Sequence, residues 1–361
     1  AQVVLLELLS IGLDDGDEVH LAIPLGGPLE ERVRARFGAR VTLHAMEAPW
    51  ASSGRKSLAD LWRLARSVRS VRFPAIAAEV DVVHVNGPRL YGAWRQANRR
   101  LQRPTIYHVH LNHSALERAY IRRVIAGDSF GVIVASSVEV ERGLAGAPGV
   151  VLVQNGIPTA AARASFEDRW SEGVFRWAVI GAVTPLKGQD FAIEAARQLP
   201  ASELLVIGGV PEAHAAWAAA LRAQAPTNVH FLGQVDSVPE VLSSKQVRVV
   251  AITSRRAESF SLAAVEAMAN SCATVFLRSA GMEAVCEVTE AARVADVAGL
   301  VAELTRLRDD PGAGMAMATM QYSRVHERYG PGRFAYEMRA VMTRVQQRSA
   351  SPMAERSGRP G

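Results

Sequence analysis

Short β-branched and aliphatic runs alternate along this chain with longer stretches in which apolar residues return every three or four positions. In the first half the short runs are Glu18–Pro24, Arg40–Glu47, Asp81–Asn86, Thr105–His110, Gly131–Ser136 and Val150–Gln154. Between them Leu58–Val71 and Tyr91–Gln102 carry the helical period. Strands that alternate with helices predict βαβ units and a parallel sheet, whose ligands bind beyond the carboxyl ends of the strands. The breakers Asn155-Gly156-Ile157-Pro158 and the small, polar stretch Thr159–Glu172 interrupt the pattern. It then restarts with Phe175–Ile180, Glu203–Ile207, Val229–Leu232, Val247–Ile252 and Thr274–Leu277. The reading is an α/β protein of two doubly wound, Rossmann-like domains, 1–158 and 159–330. A last helix, 331–348, follows the Pro331-Gly332 turn, and a Ser/Pro/Gly/Arg-rich tail, 349–361, is expected to be disordered.

The start of the chain departs from this scheme. Ala1-Gln2 leads directly into an apolar helical stretch with no strand before it. In a doubly wound sheet the first strand is central, so an N-terminal sheet without it is expected to be interrupted.

Composition narrows the picture. A chain of 361 residues is long enough for two cores, and 49% hydrophobic residues exclude a disordered protein. Two cysteines, Cys272 and Cys286, build no disulfide framework, which points to a reducing cytoplasm. The stretch Val3–Leu13 is interrupted by Glu7 and falls short of the roughly 20 residues that span a bilayer. No basic region and cleavage site mark it as a signal peptide, so a soluble protein is expected. The net charge of +5 is unevenly placed, with 14 Lys/Arg against four acids between Arg55 and Arg123. Within that stretch the helix 55–72 has apolar residues at Leu58, Leu61, Leu64, Val68 and Val71 and an Arg/Trp face. It either packs on the sheet with a solvated basic face or touches an anionic membrane at the inner face. Nucleic acid is set aside, because no zinc-finger spacing and no aromatic RNA-binding strand are present.

The segment richest in chemistry is Glu258-Ser-Phe-Ser-Leu-Ala-Ala-Val-Glu266. Glu258 falls in the loop after the strand Val247–Ile252, and Ser259–Ser261 make a plausible helix N-terminus that attracts an anion. Glu266 lies two turns into that helix. Such a pair can bracket a ligand rich in hydroxyls, or be a capping acid and a surface glutamate. Lys187 sits in the loop Gly181–Gly188 at the end of the strand Phe175–Ile180, where it meets phosphate or only solvent. Gly208 and Gly209 end the next strand, where backbone can approach a ligand closely. A dinucleotide-binding dehydrogenase is excluded, since no Gly-x-Gly-x-x-Gly follows a first strand. His108-Val-His110-Leu-Asn-His113 resembles the metal motif of metallo-β-lactamase-like hydrolases, but Asn112 replaces its acid and the βαβ pattern is wrong for that fold.

In order, Gly181…Lys187-Gly188, Gly208-Gly209, Phe231-Leu232-Gly233, Ser254-Arg255…Glu258-x7-Glu266-Ala-Met-Ala and Ala280-Gly281-Met282-Glu283 resemble the retaining GT-B glycosyltransferases of family 4. The likeness extends to Asp81-Val-Val-His84, His110, Ser136-Ser137 and Asn155-Gly156. It implies two Rossmann-like domains facing a cleft, and transfer of a sugar from a nucleotide-diphosphate sugar to a glycan, glycolipid or small-molecule acceptor. Retention of configuration, no metal ion and no cofactor are implied as well. By the same resemblance Glu266 would hold the ribose hydroxyls, Lys187 would face the diphosphate, and Glu258 and His110 would meet the donor sugar. Gly181, Gly208, Gly209 and Ser259-Phe260-Ser261 would line the donor site, and the last helix would return to the first domain. The chain departs from the family at Ala182, where an arginine is usual; Arg255 or Arg256 is the expected substitute. A degenerate member that binds without transfer, and a sugar-nucleotide 2-epimerase of the same architecture, are the alternatives.

Overall fold

The computed structural model describes residues 2–47, 71–111, 113–126, 128–157, 166–171 and 173–350. The predicted basic helix 55–72, but for its last two positions, and the tail beyond 350 lie outside them. Contacts divide the chain into two units: residues 1–155 with 332–361, and residues 156–331.

The N-terminal unit begins with α1 (Gln2–Asp14), β1 (Val19–Ile23), α2 (Pro28–Phe37) and β2 (Val41–Ala45). It continues with β3 (Val83–Val85), α3 (Pro88–Leu101), β4 (Thr105–Val109), α4 (Ala115–Ala126), β5 (Gly131–Ala135), α5 (Val138–Gly143) and β6 (Val150–Leu152). The described strands form two parallel sheets, β1-β2 and β3-β4-β5-β6, with no pairing between them. All five residues of β4 are buried. Several of its polar groups are satisfied internally: the Tyr91 hydroxyl donates to the His108 carbonyl at 2.6 Å, and Trp94 Nε1 to Thr105 Oγ1 at 2.9 Å. Pro88 opens α3 in its first turn, and Gln102 closes it in the left-handed conformation.

The second unit comprises α6 (Phe166–Trp170), β7 (Phe175–Ile180), α7 (Gln189–Gln198), β8 (Ser202–Ile207), α8 (Ala215–Gln224), β9 (Val229–Gly233) and α9 (Val238–Ser244). It goes on through β10 (Val249–Ile252), α10 (Leu262–Ala269), β11 (Ala273–Leu277), α11 (Glu283–Thr289), β12 (Ala292–Val294), α12 (Val297–Asp309) and α13 (Pro311–Tyr329). Its six parallel strands run in the order β12-β11-β10-β7-β8-β9. Alternation along the strands fills both faces. Ala178, Leu205, Ile207, Val250, Ile252 and Phe276 join one core, while Trp177, Val179, Leu204, Val206, Ala251 and Val275 join the other. From β7 the chain goes to β8 and β9 on one side, then returns to build β10, β11 and β12 on the other. The carboxyl ends of β7 and β10 thus flank a topological switch point, where open α/β sheets bind ligands.

The last helix, α14 (Pro331–Ala350), groups with the N-terminal unit. Arg339 Nε donates to Asp15 Oδ2 at 2.6 Å, and Arg333 Nη2 to the Gln154 carbonyl at 2.6 Å.

Several elements, β12 and α6 among them, escaped the reading of the sequence. The three residues of β12 are too short to show a period. α6 lies in the stretch read as a polar connection, yet Arg169 and Trp170 are buried. Arg169 Nη1 donates to the carbonyls of Leu242 at 2.7 Å and Val247 at 2.6 Å, satisfying chain ends around α9. The Trp170 ring lies flat against Gly314 of α13, so close that a Cβ there would stand 2.0 Å from it. Gly314→Ala gains up to about 1 kcal/mol of helix propensity but forces this ring aside, an overpacking cost of about 1–3 kcal/mol. The expected outcome is a net fall in the thermal unfolding midpoint.

Candidate active site

The site is built where the loop after β7 docks on the loop after β10. Gly188 sits at φ 67°, and a Cβ on it would lie 2.1 Å from the Thr253 carbonyl oxygen, so the two loops meet only because this residue is glycine. Thr253 Oγ1 donates to the Lys187 carbonyl at 2.9 Å, and the Arg255 amide to the Leu186 carbonyl at 2.9 Å. On the other flank Gly208, at φ 151°, approaches the Gly181 carbonyl so closely that a Cβ would stand 2.0 Å away. Gln189, buried at the start of α7, holds this turn: its Nε2 donates to the Ala182 carbonyl at 3.0 Å.

This scaffold brings two of the predicted residues into contact. Lys187 Nζ donates to Glu258 Oε1 at 2.8 Å, and the Ser254 hydroxyl donates to the same oxygen. Glu258 is held in turn by its backbone, whose amide donates to the Ala280 carbonyl at 2.9 Å. Ser279 Oγ fixes the Ser254 carbonyl at 2.8 Å. A small, open pocket lies here, lined by Lys187, Gln189, Thr253, Ser254, Glu258 and Ser261 among others. Ser261 is the residue preceding α10, so that helix begins at the pocket with its first amides and positive dipole end.

The other predicted residues take varied positions. Glu266 lies on α10, five residues beyond Ser261, on the half-buried side it shares with Leu262 and Ala263. Burial pushes its carboxyl up to about 7, and no cation offsets that shift. Phe260 does not face the pocket; its ring packs on the core, edge-on to Tyr329 at 5.4 Å between centroids, leaving the backbone of 259–261 to line the site. Gly209 abuts the Gln234 side chain, 2.8 Å from where a Cβ would be. His110 belongs to the N-terminal unit, at the end of β4. It is hydrogen-bonded to Asn86, and its ring stacks on His108 at 4.0 Å. His84 Nε2 lies 3.1 Å from His108 Nδ1. Burial lowers His110 to about 3 and His84 to about 4, so both imidazoles are neutral at pH 7. Among the described residues no group of three His, Cys, Asp or Glu side chains is placed to hold a metal ion.

One expectation is corrected. Arg255 does not replace the cation absent at Ala182: it pairs with Asp190, and its guanidinium lies 4.2 Å from the centre of the Phe191 ring. Ser254 stands in the motif read from the sequence but was given no role, and Gln189, Thr253 and Ser279 were not singled out. Their contribution is to join loops that are distant in the chain, for which spacing carries no signal.

Residues 1–156 match the family described as glycosyl transferase 4-like domain, and residues 175–310 match glycosyl transferases group 1. The fold is shared with the Anabaena protein HepE, crystallised with UDP and glucose, at 17% identity over 94% of this chain and 95% of that one, with a TM-score of 0.76. Sucrose-phosphate synthase from Thermosynechococcus elongatus is similar at 17% identity, 96% and 94% coverage and a TM-score of 0.74. A glycosyltransferase from Rickettsia africae aligns at 14% identity, 95% and 94% coverage and a TM-score of 0.70. No curated protein sequence matches the chain. The chain is a glycosyltransferase of the GT-B type.

The Glu266 carboxyl has a direct thermodynamic consequence. Its pKa is raised in the folded state, so the folded protein binds this proton more tightly and loses stability as the pH rises from about 4.5 through about 7. Glu266→Gln removes that cost and is expected to raise unfolding free energy at pH 8 by roughly 3 kcal/mol, with no gain at pH 4. Chemical denaturation at the two pH values checks it.

Proposed function

We propose that the chain transfers a sugar from a nucleotide-diphosphate sugar to a carbohydrate or lipid-linked acceptor, with retention of anomeric configuration and without a metal ion. The observation that carries this reading is the convergence of Lys187 and Glu258 at the mouth between β7 and β10, beside the start of the helix that bears Glu266. A pyrophosphate arriving there competes with Glu258 for the Lys187 ammonium. The ammonium and the α10 N-terminus then stabilise the negative charge that grows on the leaving diphosphate, which is how the reaction proceeds without a metal.

Glu266, as a carboxylate, accepts hydrogen bonds from the two ribose hydroxyls; the freed Glu258 and the 259–261 backbone meet the sugar. Gly181, Gly208 and Gly209 leave room for the nucleotide. His110 serves as a neutral hydrogen-bond partner of the donor sugar, its ring uncharged through burial. The Anabaena relative crystallised with UDP-glucose makes that compound the first donor to test. A cytoplasmic location, at or near the inner membrane face, goes with this reading; both cysteines are free and buried. No helix among the described residues is long and apolar enough to cross a membrane.

A thermal-shift screen of UDP-, GDP-, ADP- and dTDP-sugars tests donor binding, since a ligand bound to the native state raises its melting temperature. No shift with any of them contradicts the proposal. Anomeric configuration of the product, read by NMR in the presence of a chelator, tests retention and metal independence together. Glu266→Ala is expected to weaken nucleotide binding at least tenfold, and unchanged donor affinity contradicts the ribose role. Lys187→Ala and Glu258→Ala are expected to lower turnover about 10²–10³-fold, with smaller effects on donor affinity.

Donor affinity also follows the Glu266 proton. The carboxylate is the binding form, so with a pKa of about 7 the affinity falls about tenfold between pH 8 and pH 6. Calorimetric titration reads this directly, and the slope disappears in Glu266→Gln.

A further inference from the structure

We propose that Arg255 and Asp190 form a latch that holds Lys187 in place, which makes both of them positioning residues for the reaction. The proposal rests on the transfer reading above, in which Lys187 faces the diphosphate. It assigns a role to two side chains that stand outside the donor contacts.

Arg255, in the loop after β10, grips the chain on both sides of Lys187. Its amide donates to the Leu186 carbonyl at 2.9 Å, one residue before the lysine. Its guanidinium pairs with the Asp190 carboxylate and lies 4.2 Å from the centre of the Phe191 ring, three and four residues after the lysine. The neighbour of Arg255 in the same loop, Ser254, donates to the Glu258 carboxylate, and its own carbonyl is fixed by Ser279 Oγ at 2.8 Å. One arginine thereby ties the turn that carries the ammonium to the loop that carries the carboxylate it meets.

The contact between Gly188 and Thr253 brings the two loops together at one point, and one point leaves rotation about it. The grips at 186, 190 and 191 remove that freedom. Asp190 lies in the first turn of α7, directly after Gly188, so fixing its carboxylate also fixes the helix to which the Lys187 turn is joined. Asp190 Oδ1 is buried and has no hydrogen-bond partner among the described residues, which leaves Arg255 to offset the charge through Oδ2. The pair is partly exposed, and such pairs add little to stability. Placement is the larger effect, because a shift of about 1 Å in a group that meets the reacting atoms can cost about 10²-fold in rate.

Two readouts on the full chain test the proposal, and the first needs no activity. The chain has three lysines, Lys56, Lys187 and Lys245. Acylation by an amine-reactive reagent, read by peptide mass spectrometry, therefore reports Lys187 against the exposed Lys245. Asp190→Asn and Arg255→Ala are each expected to raise labelling of Lys187 relative to Lys245 about threefold, as the ammonium leaves Glu258. The second readout is release of UDP from UDP-glucose. Each variant is expected to lower kcat about tenfold, with KM for the donor changed less than about threefold and the melting temperature close to the parent's. Asp190→Glu, which keeps the carboxylate, is expected to restore both readouts, and Asp190→Asn adds no loss of turnover in a Lys187→Ala background. Arg306→Ala, which breaks a pair with Glu303 on α12, changes neither readout. Parental labelling of Lys187 in Asp190→Asn overturns the proposal. So does a loss of turnover in Arg255→Ala that Asp190→Asn does not share, because Arg255 then meets the donor itself. An equal rise at Lys187 and Lys245 with a lowered melting temperature overturns it as well, by making the pair a fold contact. Parental turnover in Lys187→Ala contradicts the transfer reading instead, whatever the labelling shows.

Discussion

The close docking of one loop on another, where β7 and β10 end side by side, is the constraint on which the site depends. Those strands are neighbours only because the chain leaves β7 in one direction along the sheet and comes back to extend it in the other. Gly188 then lies on the Thr253 carbonyl with no room for a side chain, and the Thr253 hydroxyl closes the contact on the Lys187 carbonyl. Lys187 has thereby little choice of direction, and the carboxylate in its path is Glu258. The ion pair is half exposed, and such pairs contribute only about 0–1 kcal/mol to stability. Its significance is placement: an ammonium and a carboxylate are held at the opening of a helix at little energetic cost.

Desolvation sets the charge states on both units, with opposite sign for acids and bases. On α10 it holds the Glu266 carboxyl near neutrality, so that at physiological pH the group is divided between its two forms. On β3 and just beyond β4 it discharges the imidazoles of His84 and His110. A buried carboxylate is destabilising by itself, and a position that keeps one spends stability on readiness to bind.

The N-terminal unit shows a different balance. β4 is shut away from water on every residue, with tyrosine and tryptophan tips satisfied within the unit, so nothing in the strand itself is offered to a partner. What the unit presents is carried by the helices that cover it, whose outward side combines exposed leucine with arginine.

The alternation of strands and helices, the two Rossmann-like units and most element positions were written in the local pattern, because period and breakers are properties of neighbouring residues. The Glu258 and Glu266 pair was legible for the same reason, since eight positions on a loop and helix set their relation. Short or atypical pieces were not: β12 has too few residues to show a period, and α6 hides behind a polar composition although its arginine and tryptophan are core residues. Which residues would meet was decided by tertiary structure alone. Ser254, Gln189, Thr253 and Ser279 join the site through loops that converge only once the sheet order is set, and Arg255, a cation in the right loop, turned instead to Asp190 and Phe191. Sheet order comes from packing between segments far apart in the chain, and so does the degree of burial that moves Glu266 and His110 away from their ordinary charge. Local pattern names the parts; contact across distance gives them their chemistry.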